Sequence, residues 1–265
     1  MAPGYGYSLV ADEADVEEDG STGTQEKITR NPLKSLTWHL FGPIAWLFTT
    51  FLLVAVLILL VAAVTKEPST DQCARKLSVW SPALEAVEYV DVQFQNKFNE
   101  KSIYRGKPTP ELERAWLDLW NFGPVNIPMD KLDALNKSKE VDWKRAKPEA
   151  GGGVIGNLEI FHQIHCLDLV RQYTYRDEYD YSKQPAFDGT PKQVREHVDH
   201  CINSLLIFLK CTSDVTPYLM VTDKRRPLGI DADFNTQHKC RNFEKIREWA
   251  GVHALNTKDY QNDIS

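Results

Sequence analysis

Between Ile44 and Val64 the chain reads IAWLFTTFLLVAVLILLVAAV, 21 residues without a charge. At a rise of ~1.5 Å per residue such a run reaches about 30 Å, the depth of a bilayer's hydrocarbon core. A buried core helix is seldom so long and charge-free, a cleavable signal peptide lies nearer Met1, and a helix lying on the lipid surface has a polar face. The run therefore predicts one transmembrane helix over residues 44–64. It divides the chain into a tail of residues 1–43, with an acidic stretch from Asp12 to Asp19, and a folded part over residues 67–265.

Charge does not orient the span, because Lys27, Arg30 and Lys34 before it are matched by Lys66, Arg75 and Lys76 after it. Cysteine usage does: all five cysteines follow the span, as expected on an oxidising side. The sequon Asn136-Lys137-Ser138 lies on the same side, with Asn136 a candidate glycosylation site. The expectation is a disordered cytosolic tail and a domain in the secretory lumen, whether endoplasmic reticulum, Golgi or vesicle. A formal charge of -6 gives no reason to expect a nucleic-acid partner.

The folded part is expected to be one mainly α domain with a few short strands, its compact portion beginning near Val79 after a polar stalk from Glu67 to Asp71. Thr109-Pro110-Glu111 and Thr190-Pro191 have the N-cap and first-turn proline of helix starts. The second opens a helix whose apolar positions Val194, Val198, Ile202, Leu205 and Leu209 recur at three and four residues. Asn157 is a candidate cap for a helix from about Leu158 to Tyr173, and Val87 to Phe94 alternates as a strand does. The glycines of Gly151 to Gly156 lack the Gly-Lys-Ser/Thr of a phosphate loop and read as a flexible approach to that helix.

Two segments repeat one pattern, His162-Gln163-Ile164-His165-Cys166 and His197-Val198-Asp199-His200-Cys201. They use four of the seven histidines and two of the five cysteines, a concentration chance does not account for. On a helix, residues three and four apart are neighbours, so each segment presents two imidazoles on one face. Two such faces turned toward each other gather four imidazoles, as facing helices of a bundle do around a metal. Leu158 and Leu169 flank the first pair, while Ile160, Phe161, Ile164 and Leu167 form an apolar arc on the far side. Leu205 and Phe208 lie beside His197 and Cys201 as a wall limiting water. Burying unpaired imidazoles costs free energy that a metal relieves.

Glu159 and Asp168, each three residues from a motif histidine, are candidate acceptors for ring N–H groups. Four neutral imidazoles suit copper, zinc, iron or nickel, and spacing does not choose. Cys166 and Cys201 fit either thiolate ligands or disulfide partners of Cys211 and Cys240, with Cys73 left over. His238, in His238-Lys239-Cys240, is a further ligand or a neighbour of a disulfide. No GxSxG, HExxH or Ser-His-Asp signature argues for hydrolysis. Trp116, Trp120 and Trp249 read as core.

The doubled HxxHC, its setting from Gly156 to Leu167 (GNLEIFHQIHCL) and the single upstream membrane helix resemble the UstYa-type proteins of fungal secondary-metabolite clusters. Ser81-Pro82-Ala83, Tyr104-Arg105-Gly106, Asp214-Val215-Thr216-Pro217 and His238-Lys239-Cys240-Arg241-Asn242-Phe243 are similar to that family's flanking blocks. The resemblance implies a copper-dependent oxidase acting on a peptide or small-molecule intermediate by oxidative cyclisation, hydroxylation or desaturation. It implies His162, His165, His197 and His200 as copper ligands, with Cys166 and Cys201 completing the motifs, and a homo- or hetero-oligomer with another chain of the family. The competing expectations are a copper halogenase of the same family and a noncatalytic partner subunit in which the histidines hold a structural zinc.

Overall fold

The computed structural model describes residues 32–261, in two compact units, one ending at Glu67 and the other starting at Pro68. The first is a single helix, α1, over Pro32–Thr65. It begins twelve residues before the uncharged run, so residues 32–43, expected in the tail, are helical. The acidic stretch Asp12 to Asp19 lies outside the described residues. Apolar side chains from Ile44 to Val64 are exposed along the helix, and Gly42–Thr65 is long and apolar enough to cross a membrane. The hydroxyls between Gly42 and Thr65 are satisfied internally. Thr49 and Thr50 donate to the carbonyl of Trp46, and Thr65 to that of Val61, the arrangement hydrocarbon demands of a polar side chain.

In the second unit, expected to be mainly α, helices cover less than half of the residues, and short strands and loops make up the rest. The stretch expected as a stalk already holds a helix, α2 (Thr70–Lys76), closed by a capping box between Ser69 and Gln72, with Ala74 fully buried. Helix α3 (Pro110–Trp120) opens at Thr109, whose hydroxyl accepts from the Leu112 N–H. Helix α4 (Glu159–Thr174) carries the first motif, α5 (Pro191–Thr212) the second, and α6 (Phe243–His253) follows an Asn242 cap. The cap expected of Asn157 is not made: α4 starts one residue later, and Leu158 at its N-cap offers no side-chain bond.

Among the described residues, six short strands form three antiparallel pairs. β1 (Tyr89–Gln93) pairs with β6 (Gln237–Arg241), β2 (Val125–Ile127) with β3 (Val154–Gly156), and β4 (Leu219–Thr222) with β5 (Ile230–Asp233). Among the glycines before α4, Gly153 is closely packed rather than a free approach to the helix. Gly153 is buried and donates its N–H to the Asn126 side chain, and a Cβ there would stand 2.2 Å from the Ile127 carbonyl oxygen. Only glycine lets β3 approach β2 so closely.

Helix α4 is central. One side meets α5 through Cys166, Leu169, Val198 and Cys201, with Tyr173, Phe187 and Leu205 packed around them. Another meets α6 through Phe161, Ile246 and Ala250, with Trp120, Phe122 and Trp249 beside them. Each fully buried Leu or Val of these seams contributes roughly 1.5–3 kcal/mol.

Candidate metal centre

Helices α4 and α5 pack antiparallel, and that crossing pairs the motifs in reverse. His162 faces His200 with ring centroids 5.8 Å apart, and His165 faces His197 at 6.0 Å. The imidazoles come together as two pairs, each bridging the two helices. Water is less excluded than the sequence implies. His200 is exposed, His162 and His197 are partly so, and Phe208, expected as a wall, is itself exposed.

Each ring has an identifiable setting. His162 places Nδ1 3.2 Å from Glu159 Oε1, the expected acceptor, and Nε2 3.6 Å from Cys166 Sγ. His165 packs edge-to-face on Trp120, centroids 4.5 Å apart. Burial, with the His197 and His162 rings close enough to disfavour a charge on it, pushes the His165 pKa down. It is thus held in the neutral form, the one able to ligate a metal.

Asp168 does not serve a histidine. Its carboxylate is buried and accepts from Trp120 Nε1 at 3.1 Å and from Arg171 at 2.7 and 2.9 Å. Arg171 also makes a two-pronged contact to Glu113 on α3, at 2.8 Å for each prong, and Tyr181 donates to the same Glu113. Burial lifts Asp168 above the ordinary carboxylate range despite Arg171.

Cys166 and Cys201 are fully buried in the α4–α5 seam. Burial pushes both thiols up, Cys201 to about 12, so without a metal they are protonated. All five cysteines are free thiols, and the disulfides considered from sequence are not formed. Cys211 shares α5 with Cys201 but lies ten residues on, about 15 Å along the axis at 1.5 Å per residue, too far to pair with it. Asn136 is exposed in a left-handed turn at the end of a short 3-10 helix.

A cavity of about 340 Å³ opens on the first motif, lined by Trp120, Phe122, Phe161, Asn157, Glu159, His162 and His165. Of its three aromatic walls, Phe161, expected on the far side from the histidines, adjoins the first motif, while Trp120 and Phe122 come from a segment remote in sequence. Trp120 ends α3, and nothing in its spacing sets it apart from the core tryptophans. A larger hollow of about 620 Å³ beside Phe98, Arg226 and β4–β5 contains no motif residue.

His238 stands apart from the four. It stacks on Phe94, centroids 3.9 Å apart, with Nε2 2.6 Å from Thr236 Oγ1 and Nδ1 3.1 Å from Asp214 Oδ2. Thr236 immediately precedes β6 and Asp214 follows α5, so the expectation of a further ligand gives way to a separate hydroxyl–imidazole–carboxylate chain.

Among the described residues no three His, Cys, Asp or Glu side chains are already grouped to hold one ion. The donor set fits a metal all the same. Neutral imidazole is a good ligand for copper and zinc, each pair supplies two such donors, and Glu159 is placed to fix the tautomer of one.

Fold and site define an imidazole-rich helical protein with an apolar N-terminal helix. The chain belongs to the family described as mycotoxin biosynthesis protein UstYa, which it matches over residues 29–253. It is 42% identical over 217 residues to the UstYa family oxidase phomYc of Diaporthe leptostromiformis, covering 79% of this chain and 85% of the relative. It is 34% identical over 188 residues to the transacylase cctO of Talaromyces islandicus, covering 69% and 63%. The UstYa family oxidase aprY of Aspergillus flavus is 27% identical over 188 residues, covering 66% and 55%. No solved structure matches.

Proposed function

We propose that this chain is a membrane-anchored, copper-dependent oxidase that tailors a peptide or small-molecule intermediate of fungal secondary metabolism. The observation that carries the reading is the meeting of His162 with His200 and of His165 with His197 across two helices. Relatives named as UstYa family oxidases support the reaction class. Copper, when bound, supplies one-electron chemistry with dioxygen.

The chain's own residues hold and orient. His162, His165, His197 and His200 are the ligands, and Glu159 fixes the His162 ring. Trp120, pinned by Asp168, braces His165 and with Phe122 and Phe161 forms the apolar wall against which the intermediate lies. Asn157 and Glu159 are the polar groups of that cavity. Cys166 and Cys201 complete the motifs by closing the seam, so that the two imidazole pairs keep their register. Residues 42–65 anchor the chain, and the second unit faces the secretory lumen, where Asn136 is exposed to glycosylation.

The test is metal analysis of the purified full chain beside His162→Ala and His200→Ala. The wild type is expected to retain copper and each variant to lose at least half of it, with oxidation of the native intermediate lost in both. Stoichiometric copper surviving both changes contradicts the assignment.

A second reading, acyl transfer, is favoured by one observation, the Thr236–His238–Asp214 chain, whose order of groups is that of a nucleophile, base and orienting carboxylate. One relative carries the name transacylase. Product mass separates the readings: oxidation removes hydrogens or adds oxygen, whereas acyl transfer leaves the oxidation level unchanged. Loss of activity in His238→Ala with copper intact would favour acyl transfer.

A further inference from the structure

The last two turns of α5 and the strand after them are exposed in a way a water-facing surface is not. Leu206, Ile207, Phe208 and Leu209 are 52%, 60%, 38% and 65% exposed. Consecutive helical residues point about 100° apart, so these four look outward on every side of the helix. Strand β4, Leu219–Thr222, is exposed at all four positions and therefore on both faces. From Ile202 to Thr222 the only charges are Lys210 and Asp214. Apolar surface so concentrated marks a contact with something else.

We infer that the end of α5 and the β4–β5 hairpin dip into the surface of the bilayer as a second membrane contact. The inference rests on the reading of α1 as a membrane anchor. Three observations select the bilayer over a second protein chain. A protein partner covers one face, whereas apolar side chains on all sides of a helix and both faces of a strand are covered together only by immersion. Lys66 and Glu67 alone join Thr65 to Pro68, a link of about 10 Å when extended, so the second unit cannot leave the membrane's vicinity. The hairpin turn carries Lys224-Arg225-Arg226, with Arg225 paired to Asp223 and Arg226 to Asp231 but the Arg225 side chain 90% exposed, cations that phosphate headgroups bordering an apolar insertion can share with those carboxylates.

The depth is limited. A two-stranded hairpin has two edges of unpaired backbone groups, which hydrocarbon does not satisfy, so the segment lies at headgroup level.

The experiment places the full chain in phosphatidylcholine vesicles with a membrane-soluble carbene photoprobe and maps the labelled peptides by mass spectrometry. Label is expected on 42–65 and on 202–222, with only background around Asp142. In a full chain carrying Ile207→Asp and Met220→Asp, label on 202–222 is expected to be lost while that on 42–65 persists. Label confined to 42–65 overturns the inference and leaves the anchor standing. No label on 42–65 removes the anchor, and the inference with it. Label on 202–222 that falls as more chains are packed into each vesicle overturns it in favour of a second copy.

Discussion

Cys166 and His165 are adjacent in sequence yet serve different surroundings, because one residue turns a helix by about 100°. Cys166 points into the α5 seam with Cys201, Leu169 and Val198, while His165 faces Trp120 and the cavity. The i, i+3, i+4 spacing made the sharing of a face legible. It left open how that face is rotated against its neighbour, which is why thiolate ligation, disulfide bonding and burial were equal readings of the cysteines. The structure predicts slow alkylation of Cys166 and Cys201 in the native state and rapid alkylation of both after denaturation, read by mass spectrometry. Cys201→Ser should destabilise by roughly 1–3 kcal/mol, since it buries a hydroxyl in an apolar seam. Rapid native labelling of Cys201 would show that the seam is open.

At the scale of elements, the contact of α3 with α4 depends on one guanidinium. Arg171, with Glu113 and Asp168, is largely buried, their side chains 11%, 13% and 3% exposed. Removing one member of such a group leaves uncompensated charge, so Arg171→Ala should lose about 3–5 kcal/mol by denaturant titration. Arg171→Lys should recover only part of that, because an ammonium cannot reproduce the fork. The group also sets an acid limit. Burial alone would raise the Glu113 carboxyl, but hydrogen bonds from Arg171 and Tyr181 outweigh it and hold it below its ordinary value. A carboxylate with a depressed folded pKa stabilises the fold above its unfolded value, near 4.3, and that stability is lost as pH falls through the folded value. Asp168, raised by burial, acts in the opposite sense. Glu113→Gln should therefore lower stability at neutral pH and flatten its fall below about pH 4.5 relative to wild type. An unchanged slope would remove Glu113 from the acid response.

The helices themselves were legible because their signals are local: Thr109-Pro110, Thr190-Pro191 and the periodicity of α5 are each read within a dozen residues. The strand pairs were not, apart from the alternation at β1, since β1 finds its partner β6 about 150 residues away. The same distance hid the Asp168–Trp120 bond and the aromatic cavity, whose walls come from separate stretches. Gly153 was misread for a related reason: its tightness is set by Ile127 and Asn126, remote in sequence.

For the whole molecule, the centre is a tertiary property. Motifs thirty-five residues apart come face to face only because α4 and α5 run antiparallel with His162 opposite His200. Nothing within either motif alone specifies that register; the packed thiols and apolar residues between them do. X-ray absorption at the copper edge of the copper-loaded full chain tests this most directly. The account predicts a first shell of nitrogen and oxygen with the outer scattering of at least two imidazoles, weakened in His162→Ala and in His197→Ala, and no sulfur shell. A sulfur shell, or imidazole scattering indifferent to those two changes, would contradict it.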